Sequence, residues 1–403
     1  MLKSSSSSFA RVRAIALVSA GLVLASSIVW AQAGGAVAGG DSLLAQARRS
    51  AVDQRFDVAM DRYYALLLEQ PGTPDAQTAR LELARVLALT GNVPSALMQC
   101  QALRDELPSD HPGRERAAEL ATLLARRLRS GLSGNAYFST FEAVAGRGIQ
   151  SLDEPRTLVF EGELRYVVVD DGAGRVFRVG PDTAGAVNAG VEPTAAAVMP
   201  DGTIAVAGKA GLTRVPSGPA VVLGGTWGGK ARQLKKVRSM AALSNGELLV
   251  VDRDFDGLIR CHAGTGACQP WGPAGKYRTV RVGTFDWVYL LDDRGQSVRV
   301  MDTALRQIAL LGPTIGGMKF GKVEDLAVDS AHGLYLLDSD LKRVHLVVLR
   351  AGPDGRVAPQ SAGSALMPQE GDRVLKNPTT IGVSPGGSVY VTGKSSPRIM
   401  RFR

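Results

Sequence analysis

The feature that most constrains this chain is one interval of fifteen residues that recurs six times. Six short apolar runs, at 166–170, 204–208, 248–252, 288–292, 334–338 and 389–393, close on Asp170, Gly208, Asp252, Asp292, Asp338 and Gly393. Fifteen positions before these closing residues stand Pro155, Pro193, Val237, Tyr277, Val323 and Pro378. The interval inside each unit is constant, whereas the intervals between units vary. Such a pattern demands two strands joined by a turn, with insertions confined to the links between units. The turns carry suitable residues, as at Pro200-Asp201-Gly202, Ser244-Asn245-Gly246 and Pro385-Gly386-Gly387. A third strand is marked by Arg175-Val176, Arg343-Val344 and Arg398-Ile399, each starting five positions past a closing residue.

Successive units are about 45 residues apart, the length of a four-stranded propeller blade. The expectation is therefore a six-bladed β-propeller over residues 136–403. The last unit carries three strands, and a ring whose last sheet is incomplete keeps a raw edge. Residues 136–143 are expected to supply the missing outer strand. The units resemble NHL repeats, which read as Pro, strand, Asp-Gly turn, strand ending in Asp, then Arg-Val. The clearest copies are 155–179, 323–348 and 378–402, with Gly208 and Gly393 replacing the closing Asp.

Residues 41–132 read as helices, with breakers at Gln70–Pro74, Gly91–Pro94 and Pro108–Gly113. Ala59, Tyr63, Leu66 and Pro71 recur 37 positions later as Ala96, Cys100, Leu103 and Pro108. A small residue four before a larger apolar one lets two helices approach closely, and the Pro ends the pair. The pattern resembles the tetratricopeptide (TPR) repeat, followed by a third helix at 114–129. That resemblance implies protein–protein contact rather than chemistry. The fold class expected is thus α then β: TPR-like hairpins followed by an NHL-like propeller.

Residues 1–33 read as a secretory signal peptide, with Lys3, Arg11 and Arg13 before an apolar run from Ala14 to Trp30 and a small-residue site at Ala31-Gln32-Ala33. Residues 34–40 form a Gly-rich linker. A periplasmic or secreted destination follows, with no transmembrane segment after cleavage; an uncleaved anchor is the alternative. Loss of the three leader cations takes the net charge from +9 to +6. Outside the cytoplasm that excess points to acidic envelope partners rather than nucleic acid. Cys261 and Cys268 flank a hairpin tip, where an oxidising compartment would permit a disulfide; two free thiols are the alternative. Cys100 falls in a helix and reads as buried and inert.

The residues flanking each unit start should gather at one channel mouth. Arg156, Lys236, Arg238, Lys276, Arg278 and Lys322 are the candidate ligand-binding set for an anion or carboxylate, with Glu154 and Glu192 facing them. Solvated surface charge is the competing reading. Trp227, Trp271 and Phe320 read as wedges between blades. His111, His262, His332 and His345 lack metal-ligand spacing and read as surface or turn residues. Asp170, Asp252, Asp292 and Asp338 read as turn-stabilising rather than as a metal ring. No catalytic residue, metal or cofactor is expected. The function expected is a non-enzymatic envelope scaffold that binds protein partners, with acidic glycan as a further ligand class, through the helices and the propeller face. A lactonase-like propeller hydrolase or lyase with a channel-bound divalent metal is the alternative.

Overall fold

A computed structural model describes residues 42–130, 141–144 and 152–402, apart from 182–183, 216–217, 316, 368–374, 376 and 395–398. The leader, the 34–40 linker and residues 136–140 of the expected closing strand lie outside the described residues. Among the described residues, five helices precede a six-bladed β-propeller: α1 Leu43–Val52, α2 Phe56–Glu69, α3 Pro74–Leu89, α4 Val93–Glu106 and α5 Pro112–Ser130. Ser42, Thr73 and Asn92 cap three of the helices by accepting from Ala45, Ala76 and Ser95 N–H. One break was not expected. The chain turns between α1 and α2 at Asp53–Arg55, without Gly or Pro, because Gln54 takes a positive φ of 59° and Asp53 N–H closes on Arg49 O.

The repeated positions of the helical region are all interior. Ala59, Tyr63 and Leu66, and their counterparts Ala96, Cys100 and Leu103, are at most 1% exposed. Helices α1, α3 and α5 adjoin one another in one layer, and α2 and α4 pack outside it.

In the propeller, each marker residue pairs directly with its closing residue. Pro155 faces Asp170, Pro193 Gly208, Val237 Asp252, Tyr277 Asp292, Val323 Asp338, and Pro378 Gly393. In all six pairs the register shifts immediately after the marker, a β-bulge that sharpens strand twist. The inner strands touch in sequence around a ring, and that of blade 6 touches that of blade 1. Phe141–Val144 completes blade 6, pairing antiparallel with Ile399–Phe402. The first and last parts of the propeller therefore share one sheet, which removes its open edge.

Blade 2 has three strands, with an isolated bridge between Leu212 and Val221. The Gly-rich stretch carrying Lys230 and Arg232 is a two-stranded hairpin, Gly224–Trp227 with Lys230–Gln233. Trp227 packs edge-on against Phe255 and Phe320 against His345, and Trp271 packs with the core of blades 3 and 4. Cys261 and Cys268 form a disulfide across paired strands.

The helices and the propeller share apolar core. Leu83, Leu87, Leu120 and Leu124 lie in one buried cluster with Trp287, Tyr289, Leu334 and Leu349 of blades 4 and 5. Polar contacts from three arginines fix the orientation. Arg127 of α5 pairs with Asp329 and donates to Ala331 O at 2.5 Å. Arg350 donates to Ala88 O at 2.8 Å, and Arg306 to Asp53 at 2.8 Å.

Candidate ligand-binding channel

The closing carboxylates fasten blades. Asp170 accepts from the N–H of Asp153 and Glu154, Asp252 from Lys236 and Asp254, and Asp338 from Gly321 and Leu341. Asp292 accepts from Gln296, Ser297 and the Ser297 hydroxyl. A carboxylate holding several backbone donors is a structural clamp. His345 shares the Asp338 clamp at 3.2 Å.

The starts of the inner strands converge as the sequence spacing requires. Arg156, Arg238, Arg278, Glu324 and Thr379 surround a cavity of about 190 Å³ at one end of the channel. Their charges are matched. Arg156 meets Asp171 at 2.5 Å and Glu154 at 2.8 Å, Arg238 meets Asp293 at 2.5 Å, and Arg278 pairs with Glu324. The lysines lie outside that cavity. Lys236 pairs with Asp254 at 3.1 Å and Lys322 with Glu324 at 2.6 Å. Lys276 is exposed and makes no ion pair among the described residues. Glu192 pairs with Lys209 rather than facing the arginines.

The matching acids had a legible signal. In every blade the residue after the closing position donates its N–H to the carbonyl before the marker, as Asp171 does to Glu154 and Asp293 to Lys276. The fixed fifteen-residue interval therefore places Asp171 and Asp293 at the mouth as firmly as it places the arginines.

Between this cavity and the next, with Arg281 lining both, a polar cluster forms a waist. Asp325 accepts from Arg281 at 2.9 Å, Thr279 at 3.1 Å and Thr380 at 2.8 Å. Arg281 also donates to Ser239 at 3.0 Å.

Beyond the waist lies a second chamber of about 460 Å³. All six blades reach it, through residues such as Phe160, Val198, Met240, Val282, Val328 and Val383. Its far wall is helical: Arg85 of α3 and Arg116, Glu119 and Leu120 of α5. Arg85 Nε is buried without a hydrogen-bond partner. Burial pushes the Arg85 pKa down, reinforced by the charge of Arg116, whereas Glu82 raises it. Glu82 itself is engaged by Arg48 at 2.7 Å and by the Tyr63 hydroxyl at 3.0 Å. Burial pushes the Glu119 carboxyl up to about 7, helped by Glu115 and Glu163. None of these helical residues stood out in the sequence, because nothing local shows that α3 and α5 cover a channel.

Expected as surface or turn residues, His111 and His262 are exposed and His332 lies in a turn, whereas His345 lies inside a strand. His332 and His345 are buried. His332 stacks on Phe285 at 5.4 Å and lies 4.9 Å from Trp287, and burial drives its pKa down to about 3. Among the described residues no group of three or more His, Cys, Asp or Glu is placed to hold a metal ion. No described helix is long and apolar enough to cross a membrane.

No protein-family model matches this chain, and no curated protein matches it. Similar solved structures include a protein of unknown function from Bacteroides thetaiotaomicron, 12% identical, covering 68% of this chain and 73% of that one, TM-score 0.45. A streptogramin B lyase is 8% identical, covering 66% and 98%, TM-score 0.43. A gluconolactonase from Xanthomonas campestris is 14% identical, covering 64% and 96%, TM-score 0.43. At these identities the likeness concerns the propeller fold alone.

Proposed function

We propose that this chain is a non-enzymatic binding scaffold of the cell envelope, TPR-like helices on an NHL-like propeller, whose ligand sits in the chamber beneath the helices. The observation that carries this reading is the convergence of all six blades and two helices on one chamber of about 460 Å³, within the usual range for small-molecule sites. Guanidinium groups hold a fixed charge and do not exchange protons near neutral pH. Arg85 and Arg116 therefore suit retention of a ligand rather than its transformation. The α1–α3–α5 layer faces the propeller, so any protein partner of the helices is left the outer pair, where Tyr64, Leu68 and Met98 are exposed. Of the balanced mouth arginines, Arg238 and Arg278 tie neighbouring blades, and Arg156 is held within blade 1. A periplasmic or secreted location fits the leader-like N-terminus and the Cys261–Cys268 bond.

Glu119, held near neutrality in the chamber, favours a second reading as acid–base catalyst of a hydrolase or lyase. Thermal-shift screening of small acids, sugars and short peptides, with recovery of each compound, separates the two. The scaffold reading expects a compound that raises Tm for the wild type, not for the chamber-filling Ala242→Trp, and is recovered unchanged. A compound recovered cleaved or eliminated overturns it in favour of catalysis. Equal shifts in both proteins place the site elsewhere.

A further inference from the structure

Resting on that chamber reading, we infer that the chamber selects small organic carboxylates carrying an apolar body, with the carboxylate received by Arg85 and Arg116. Six charged residues line the chamber: Arg85, Arg116, Glu119, Glu161, Arg281 and Asp329. Three are already matched by charges of the chain. Glu161 pairs with Arg178 at 2.8 Å, Arg281 with Asp325 at 2.9 Å, and Asp329 with Arg127. What remains is Arg85 and Arg116 against Glu119, a surplus of one positive charge when Glu119 is ionised and two when it is protonated.

Arg85 is partly buried, with its Nε out of reach of water and without a hydrogen-bond partner, while Arg116 is exposed at the rim; a bound anion would satisfy the desolvated guanidinium N–H. Arginine forks bind planar carboxylates through two parallel hydrogen bonds. Apart from Ser330 and Ser384, the rest of the wall is apolar, with Leu120, Leu158, Phe160, Met240, Ala241 and Val383 among its residues. A fully hydrated inorganic anion would leave that surface uncovered, whereas an alkyl or aryl carboxylate covers it. The charged groups around Glu119 are Glu115 and Arg116 of its own helix and Glu163 from the first hairpin of blade 1, with Arg85 of α3 on the same wall. Protonation of Glu119 removes the one negative charge competing with the ligand, so carboxylate binding should tighten as pH falls from 8 to 6.

The test is calorimetric titration of the full chain with octanoate and with its neutral analogue octanamide. Octanoate should bind at least tenfold tighter. Arg85→Met should lose that preference while still binding octanamide, and Arg85→Lys should restore part of it. Glu119→Gln should flatten the pH dependence. Ala242→Trp should abolish both titrations, with unchanged melting as the control for folding. Equal affinity for acid and amide, both lost in Ala242→Trp, overturns the carboxylate inference and leaves the chamber reading standing. Octanoate binding untouched by Arg85→Met and Ala242→Trp overturns both. Failure of either ligand to bind at millimolar concentration overturns the inference, the compound screen remaining the separate judge of the chamber.

Discussion

Arg127 and Asp329, 202 positions apart, form a buried ion pair that ties the last helix to the fifth blade. Asp329 also accepts from Ala331 and Gly333 N–H and from the Tyr335 hydroxyl, so one carboxylate organises both the turn and the interface. Removal of Arg127 leaves that carboxylate buried without its countercharge. Arg127→Leu should cost about 3 kcal/mol of unfolding free energy, measured in denaturant. Gly333→Ala should also destabilise, because a Cβ there would stand 2.1 Å from Arg127 Nη2 and 2.5 Å from Asp329 Oδ2.

Arg85 poses the opposite case. Its Nε is buried without a partner, and burial opposes its charge. Arg85→Met should leave stability unchanged or raise it by about 1 kcal/mol while removing carboxylate binding. A loss of several kcal/mol in Arg85→Met would mean that the arginine serves the fold rather than a ligand.

Two titratable groups, Glu119 partly buried and His332 buried, should give the stability profile opposing slopes. The Glu119 carboxyl is raised to about 7 from an ordinary 4.5. Its contribution is fully present below pH 4.5 and is lost as pH rises through 7. The imidazole of His332 is lowered to about 3 from 6.5. Its contribution is present above pH 6.5 and is lost as pH falls toward 3. Melting of Glu119→Gln should depend less on pH between 4.5 and 7 than that of the wild type. His332→Phe, which can keep the stack on Phe285 and Trp287, should blunt the acid-side loss.

The closing strand carries a prediction of its own. Phe141–Val144 pairs residue for residue with Ile399–Phe402, from Phe141 opposite Phe402 to Val144 opposite Ile399. Deletion of 141–144 exposes the last strand as an edge and should lower Tm by roughly 5 °C or more. Unchanged melting would show that the ring does not depend on this closure.

What could be read in advance was the part of the molecule set by local repetition. The pairing of Val237 with Asp252, and of its five equivalents, follows from strand length and turn chemistry alone. So does the gathering of Arg156, Arg238 and Arg278, since equivalent positions in a ring must meet. The partners of those arginines lay one step beyond the closing residues and were missed, which is why the mouth read as basic when it is balanced. The chamber was hidden for another reason. Arg85, Arg116 and Glu119 become neighbours of the channel only when the α1–α3–α5 layer docks on blades 4 and 5, and docking depends on shape rather than period. His332 illustrates the same limit: a solitary histidine in a turn reads as exposed, yet the helical layer buries it.

The account depends most on the helices and the propeller being one body with a chamber between them. Thermal unfolding followed together by the helical circular-dichroism signal and by the fluorescence of Trp287, with Trp30, Trp227 and Trp271 replaced by Phe, tests this directly. Trp287 is buried in the core shared by the two parts. A single coincident transition is expected. Helical signal lost at a clearly lower temperature, with Trp287 still in its native environment, would contradict the shared core and the chamber beneath it.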